Sequence, residues 1–157
     1  GNHDSWYGRG AVTNALQDAG VAALWNRHIV IRRSGGAIVI AGIADDWTGD
    51  PDFVAALDGA PENTDTIFIG HNPDNFADMP DGAALMLAGH SHCGQVTIPF
   101  IGRPATVVRN RAYECHLVEE QGRALYVTGG IGTSTLPVRF LTPPEIVMIT
   151  LRGSGAP

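Results

Sequence analysis

The feature that most narrows what this chain can become is the passage Ala84-Leu85-Met86-Leu87-Ala88 followed by Gly89-His90-Ser91-His92-Cys93-Gly94-Gln95. The apolar run reads as a short buried strand, and the glycine at its end lets the backbone bend sharply into a loop. Two imidazoles then stand at the carboxyl end of a strand, where α/β sheets bind their ligands. Two His separated by one residue can offer nitrogens to metal ions in one small volume, the alternative being a pair of exposed loop histidines. The arrangement recurs in Asp65-Thr66-Ile67-Phe68-Ile69-Gly70-His71-Asn72-Pro73. The chain opens on Gly1-Asn2-His3-Asp4, which reads as a loop leaving a further strand upstream, or alternatively as a disordered terminus.

Between these points the periodicity predicts a short helix over about 11–19 with a glycine stop at Gly20. Two β-branched runs, 28–33 and 37–42, flank Gly35-Gly36 and predict a β-hairpin, with His28 as a structural residue. Asp45-Asp46-Trp47-Thr48-Gly49-Asp50-Pro51 follows as a polar loop. Its three carboxylates can bind a cation, but a solvated loop or helix cap is the preferred reading, with Asp50 as N-cap before a helix over 52–57. A helical turn around Asn75 to Met79 completes a β-α-β unit. Further strands are expected at Gln95–Ile98, cut by Pro99, at Ala124–Thr128, and at Glu145–Leu151, whose apolar residues alternate.

Composition removes several function classes. The 157 residues suit a single domain, expected over 1–152 with a polar tail at 153–157, and 44% hydrophobic residues suffice for a core. A net charge of -6 with ten Lys plus Arg leaves no evident nucleic-acid surface, although a small phosphate ester remains open as a partner because bound cations would dominate the local field. No apolar run reaches the roughly 18 residues of a membrane span, and no signal peptide opens the chain. Cys93 and Cys115 are too few for a disulfide framework, which favours free thiols and a reducing compartment.

Loops from neighbouring parallel strands, about 4.8 Å apart, can bring Asn2, His3, His71, His90 and His92 onto one or two cations. Imidazole with an amide oxygen suits Zn, Mn, Fe or Ni. Such ions acidify water and clamp phosphoryl oxygens, and an uncoordinated His beside them can protonate a leaving alkoxide.

The pattern resembles the calcineurin-like metallophosphoesterase superfamily over almost the whole chain. Gly1-Asn2-His3-Asp4 is similar to its Gly-Asn-His-Asp/Glu motif, Gly70-His71-Asn72-Pro73 to its isolated metal-binding His, and Gly89-His90-Ser91-His92 to its Gly-His-x-His motif. Residues 125–134, 136–140 and 144–146 further resemble a bacterial branch of membrane-associated phosphoesterases. The resemblance implies an α/β fold, here the C-terminal part of a two-sheet β-sandwich flanked by helices. It implies hydrolysis of phosphate mono- or diesters by two divalent or trivalent ions in the complete protein. Asn2, His71 and His90 would hold one ion and His92 would contribute to the other; His3 would be the acid and Asp4 the residue that orients it. The family's upstream Asp-x-His and Gly-Asp motifs are absent from these residues, so truncation at the N-terminus is expected. A non-catalytic metal-binding or scaffold domain of the same fold is the alternative. The resemblance leaves localisation as cytoplasmic or membrane-associated, with peripheral attachment through the missing N-terminal segment. Cys93, where this branch has Gly, is expected to place a thiol near the metals as a bystander or an extra ligand.

Overall fold

Two β-branched runs on either side of Gly35-Gly36 form the hairpin that their composition dictates. β1 (Arg27–Arg33) pairs antiparallel with β2 (Gly36–Gly42), Val30 opposite Val39. In the computed structural model, which describes residues 1–152, β2 also begins a parallel set. It pairs with β3 (Thr66–Ile69), β3 with β4 (Leu85–Ala88), and β4 with β6 (Arg123–Val127). β5 (His116–Glu120) closes the far edge antiparallel to β6, giving the order β1-β2-β3-β4-β6-β5. The expected polar tail at 153–157 lies outside the described residues.

Side chains alternate across the pleat, so the core forms on one face of the sheet. Val39, Ala41, Phe68, Met86, Leu125 and Val127 are fully buried there. Phe53 and Ala56 of α2 (Phe53–Leu57) cover one end and the 3-10 turn Pro73–Asp78 another, with Phe53 edge-on to Phe68 at 4.9 Å. His28 Nδ1 donates to the Ala56 carbonyl at 2.9 Å, the structural role expected of it. The opposite face carries apolar residues with far less cover: Ile29, Ile31 and Ile69 are 40%, 37% and 45% exposed. The chain is thus an α/β assembly built on one six-stranded sheet; no second sheet is present among the described residues.

Four local expectations are corrected. Gly1-Asn2-His3-Asp4 is the start of a helix rather than a loop leaving a strand: α1 runs Asn2–Asp18, with Gly8 at φ 138 breaking it into two pieces. Asp4, third in the helix, reaches back to the Gly1 nitrogen at 2.7 Å, while Gly1, having no side chain, offers the first turn no cap in return. Only the second piece was legible as a helix, because its apolar spacing continues past the break. At α2 the cap is Asp52, not Asp50; its extended backbone lets Oδ1 accept from the Ala55 amide at 2.8 Å.

Gln95–Ile98 makes isolated bridges, Val96 to Phe140 and Ile98 to Gly102, and no strand. Left-handed backbone at Gln95 (φ 55) and Phe100 (φ 66) coils the segment out of register. Glu145–Leu151 is likewise not a strand. Glu145, Ile146, Val147 and Ile149 share a small cavity with Leu87 and Tyr126, so the segment lies against the face of β4 and β6, whose edges are already paired.

Gly70 illustrates how tightly strand ends and core are joined. A Cβ there would stand 2.5 Å from Met86 Cε and 3.0 Å from Ile43, and Met86 has no room to retreat. Gly70→Ala should lower stability by about 1–3 kcal/mol in urea unfolding. Gly82→Ala, with open space at its Cβ, should stay within about 0.5 kcal/mol. Equal effects would show that the Gly70 contact is slack.

Candidate metal centre

Because β2, β3, β4 and β6 run parallel, their carboxyl ends open on one edge of the sheet. The ladder carries on past the strands. Gly70 N donates to Leu87 O at 3.0 Å, Gly89 N to His71 O at 3.1 Å, and Thr128 N to Ala88 O at 2.9 Å. His71 and His90 therefore leave adjacent strands side by side. The first turn of α1 lies against them so closely that a Cβ on Gly1 would fall 2.7 Å from the His71 ring.

The three side chains meet. His71 Nε2 is 3.0 Å from Asn2 Oδ1 and 3.1 Å from His90 Nδ1. One ring nitrogen carries at most one proton, so a neutral His71 cannot serve both neighbours as donor. Ligands placed about 2.0–2.2 Å from a common cation are themselves roughly 3.0–3.5 Å apart. The observed spacings fall at the short end of that range. His90 Nε2 and His92 Nδ1 are also buried with no hydrogen-bond partner among the described residues. On donor chemistry and geometry these residues fit a borderline cation.

His92 lines the same cavity and is near enough to lower His90, but no hydrogen bond joins it to the triad; among the described residues no third His, Cys or carboxylate donor closes on these histidines. His3 is exposed at the cavity wall, its ring 5.0 Å from Trp6. Asp4 does not reach His3: its carboxylate accepts from the Gly1 nitrogen at 2.7 Å, so it shapes the turn that carries Asn2 and His3.

The free thiol expected of Cys93 is absent, since Cys93 is disulfide-bonded to Cys115, 22 residues away. Ser91 Oγ donates to Glu114 O at 2.6 Å, which brings the two segments together. Spacing along the chain carried no sign of that approach.

Sequence reasoning also passed over Asp45. It was grouped with a solvated acidic loop, yet it is only 3% exposed, with Oδ1 accepting from Trp47 N at 3.1 Å and Thr48 Oγ1 at 3.0 Å while Oδ2 is unpartnered among the described residues. Its neighbour Asp46 follows the surface reading, pairing with Arg109 at 3.1 Å. The signal that distinguished Asp45 was the one already used for the histidines: it follows a strand that ends in glycine.

Burial sets the charge state. His71 is lowered from 6.5 to about 4, chiefly by loss of water and secondarily by the Gly1 ammonium and His90, against the opposing pull of Asp45. His90 and His92 are lowered as well, again first by burial. Neutral imidazoles are the form that binds metal.

Scanned against protein-family models, the chain matches none. No solved structure matches it either. Among curated proteins it is 31% identical over 158 residues to the uncharacterized metallophosphoesterase YkuE of Bacillus subtilis, covering 99% of this chain and 55% of that protein. It is 32% identical over 155 residues to the phosphodiesterase YaeI of Escherichia coli, covering 96% of this chain and 56% of that protein. A zebrafish transmembrane protein with a metallophosphoesterase domain is 28% identical over 177 residues, covering 97% of this chain and 37% of that protein. The chain thus spans a little over half the length of the two bacterial relatives.

The lowered imidazoles make the metal-free chain sensitive to acid. As pH falls below 6.5 the unfolded chain takes up protons that folded His71 refuses until about pH 4. Stability is therefore whole above the first value and declines toward the second. Urea midpoints taken at about pH 7.5 and about pH 4.5 should fall less for His71→Gln than for the wild type. Parallel declines would show that burial does not depress this imidazole.

Proposed function

We propose that this chain, which belongs to the metallophosphoesterase superfamily, supplies one half of a dinuclear centre that hydrolyses phosphate mono- or diesters in the whole protein. The observation that carries the reading is the Asn2–His71–His90 contact, in which His71 Nε2 stands 3.0 Å from Asn2 Oδ1 and 3.1 Å from His90 Nδ1. Asn2 Oδ1, His71 Nε2 and His90 Nδ1 would hold one ion, and His92 would give a nitrogen to a second, with Mn, Zn, Fe or Ni suited to the set. Cations held there polarise phosphoryl oxygens and lower the pKa of water, the two services that ester hydrolysis requires.

The protein's own groups do the rest. His3, beside a ligand but outside the triad, would give its proton to the departing alkoxide. Asp4 fixes the helix turn on which Asn2 and His3 stand. Buried Asp45, close enough to raise the basicity of both His71 and His90, offsets part of the charge that cations bring.

A second sheet packed on the apolar face of Ile29, Ile31 and Ile69 belongs to the same proposal, since that much exposed aliphatic surface is where a second layer would be stable. So does peripheral membrane attachment through chain preceding Gly1, motivated by the zebrafish relative's name. No helix of the described residues is long and apolar enough to cross a membrane.

Two outcomes follow. Residues 1–157 alone should bind at most one cation and show negligible turnover of bis-nitrophenyl phosphate, because one imidazole cannot hold a second ion against the repulsion of the first. The whole protein should bind two ions and turn the ester over; full activity in residues 1–157 would mean that the ligands are misassigned, and two bound ions with no turnover in the whole protein would favour a non-catalytic metal-binding domain. His3→Ala in the whole protein should slow alkyl esters by about 10² to 10⁴ while sparing nitrophenyl esters and metal content. Equal loss on both ester types would remove His3 as the acid.

A further inference from the structure

The histidines line a cavity of about 990 Å³. That is the top of the roughly 300–1,000 Å³ range that holds a whole small-molecule ligand, and far more than a phosphoryl group with a short alcohol fills. Its chemistry is as telling as its size.

Two apolar patches line it. One begins at the reacting groups: Trp6 lies 5.0 Å from His3 and 6.4 Å from Trp47, and Trp47 stands edge-on to His90 at 4.7 Å. Trp6 and Trp47 remain 62% and 49% exposed, so neither indole is consumed by the core. The other patch is formed by Val96, Val107, Leu136 and Val138. It is held in shape by polar backbone ties: Gln95 Nε2 donates to Leu136 O at 3.2 Å and Val138 O at 3.3 Å, and the Ser134 amide donates to Gln95 Oε1. Among the described residues no arginine lines the cavity, and the sequence contains no lysine. A polyanionic head beyond the scissile phosphate would find no arginine or lysine there, whereas an aliphatic chain would find Trp6 and Trp47 beside His3 and His90 and aliphatic side chains elsewhere on the wall.

We propose that the whole protein acts on phosphoesters carrying an extended aliphatic chain, which lies along Trp6 and Trp47 and against Val96, Val107, Leu136 and Val138 while the phosphate sits at the histidines. The proposal rests on the hydrolytic reading above and adds the substrate class.

The test uses the whole protein loaded with Mn²⁺ and three chromogenic diesters: the p-nitrophenyl esters of methyl phosphate, octyl phosphate and thymidine 5′-phosphate, each below its aggregation concentration. A fully buried CH₂ contributes about fourfold in affinity. In a groove open to solvent the octyl ester should exceed the methyl ester in kcat/KM by roughly 10- to 100-fold, expressed mainly in KM. Leu136→Ser and Val107→Ser, both at exposed positions, should draw the octyl-to-methyl ratio toward one.

Equal turnover of octyl and methyl esters, a preference for the thymidine ester, or a ratio indifferent to both substitutions would overturn the aliphatic class and leave phosphoester hydrolysis standing. Failure to turn over any of the three with two ions bound would overturn the hydrolytic reading, and this inference with it.

Discussion

Everything at the candidate centre depends on the level pairing of four parallel strands. β2, β3, β4 and β6 are joined so that Gly42 lies opposite Ile69, Ile69 opposite Leu87, and Ala88 opposite Val127. Their carboxyl ends consequently finish on one line. A slip of one residue would turn Phe68 and Met86 from the core to the thinly covered face and would carry His71 away from His90. The fully buried Phe68, Met86, Leu125 and Val127 make such a slip costly, so hydrophobic burial on one face of the sheet fixes donor atoms at its edge.

The donors are held at a further energetic expense. His90, His92, Cys93 and Gln95 all have left-handed backbone, with φ of 64, 50, 51 and 55. For residues with a Cβ this conformation costs roughly 1–2 kcal/mol each. Such a turn persists where its surroundings over-determine it. Here the ties are the Cys93–Cys115 bond, the Ser91 hydrogen bond to Glu114 O, and the Gln95 contacts with Leu136, Val138 and Ser134. The same ties hold Leu136 and Val138 of the cavity wall, which couples the position of His92 to that wall.

Much of this was legible. An apolar run, a glycine and a histidine state their own chemistry, because a strand must end somewhere and glycine marks where the backbone can bend. The hairpin was equally plain from its two β-branched runs and its Gly-Gly turn. Glu145–Leu151 misled because alternation shows only that a segment could present one apolar face; forming a strand needs a free edge, and both β4 and β6 are paired on each side. Asp45 misled in the opposite sense: among neighbouring carboxylates it reads as solvated, although it follows the glycine that ends β2, as the histidines follow theirs.

By itself, then, the sequence determined which residues could serve as donors and that His71, His90 and His92 would follow strand ends, since period, glycine placement and side-chain chemistry are local properties; it did not show that Asn2 stands on a helix. Only the tertiary structure decided which of them meet. Asn2 reaches His71 across 69 residues of chain, Cys93 reaches Cys115 across 22, and Asp4 turns to the Gly1 nitrogen instead of to His3. The first two depend on strand order, on register and on a helix turn packed against a ring, which the competition for burial over the whole molecule settles and no stretch of sequence contains; the third is a contact within one exposed helix turn.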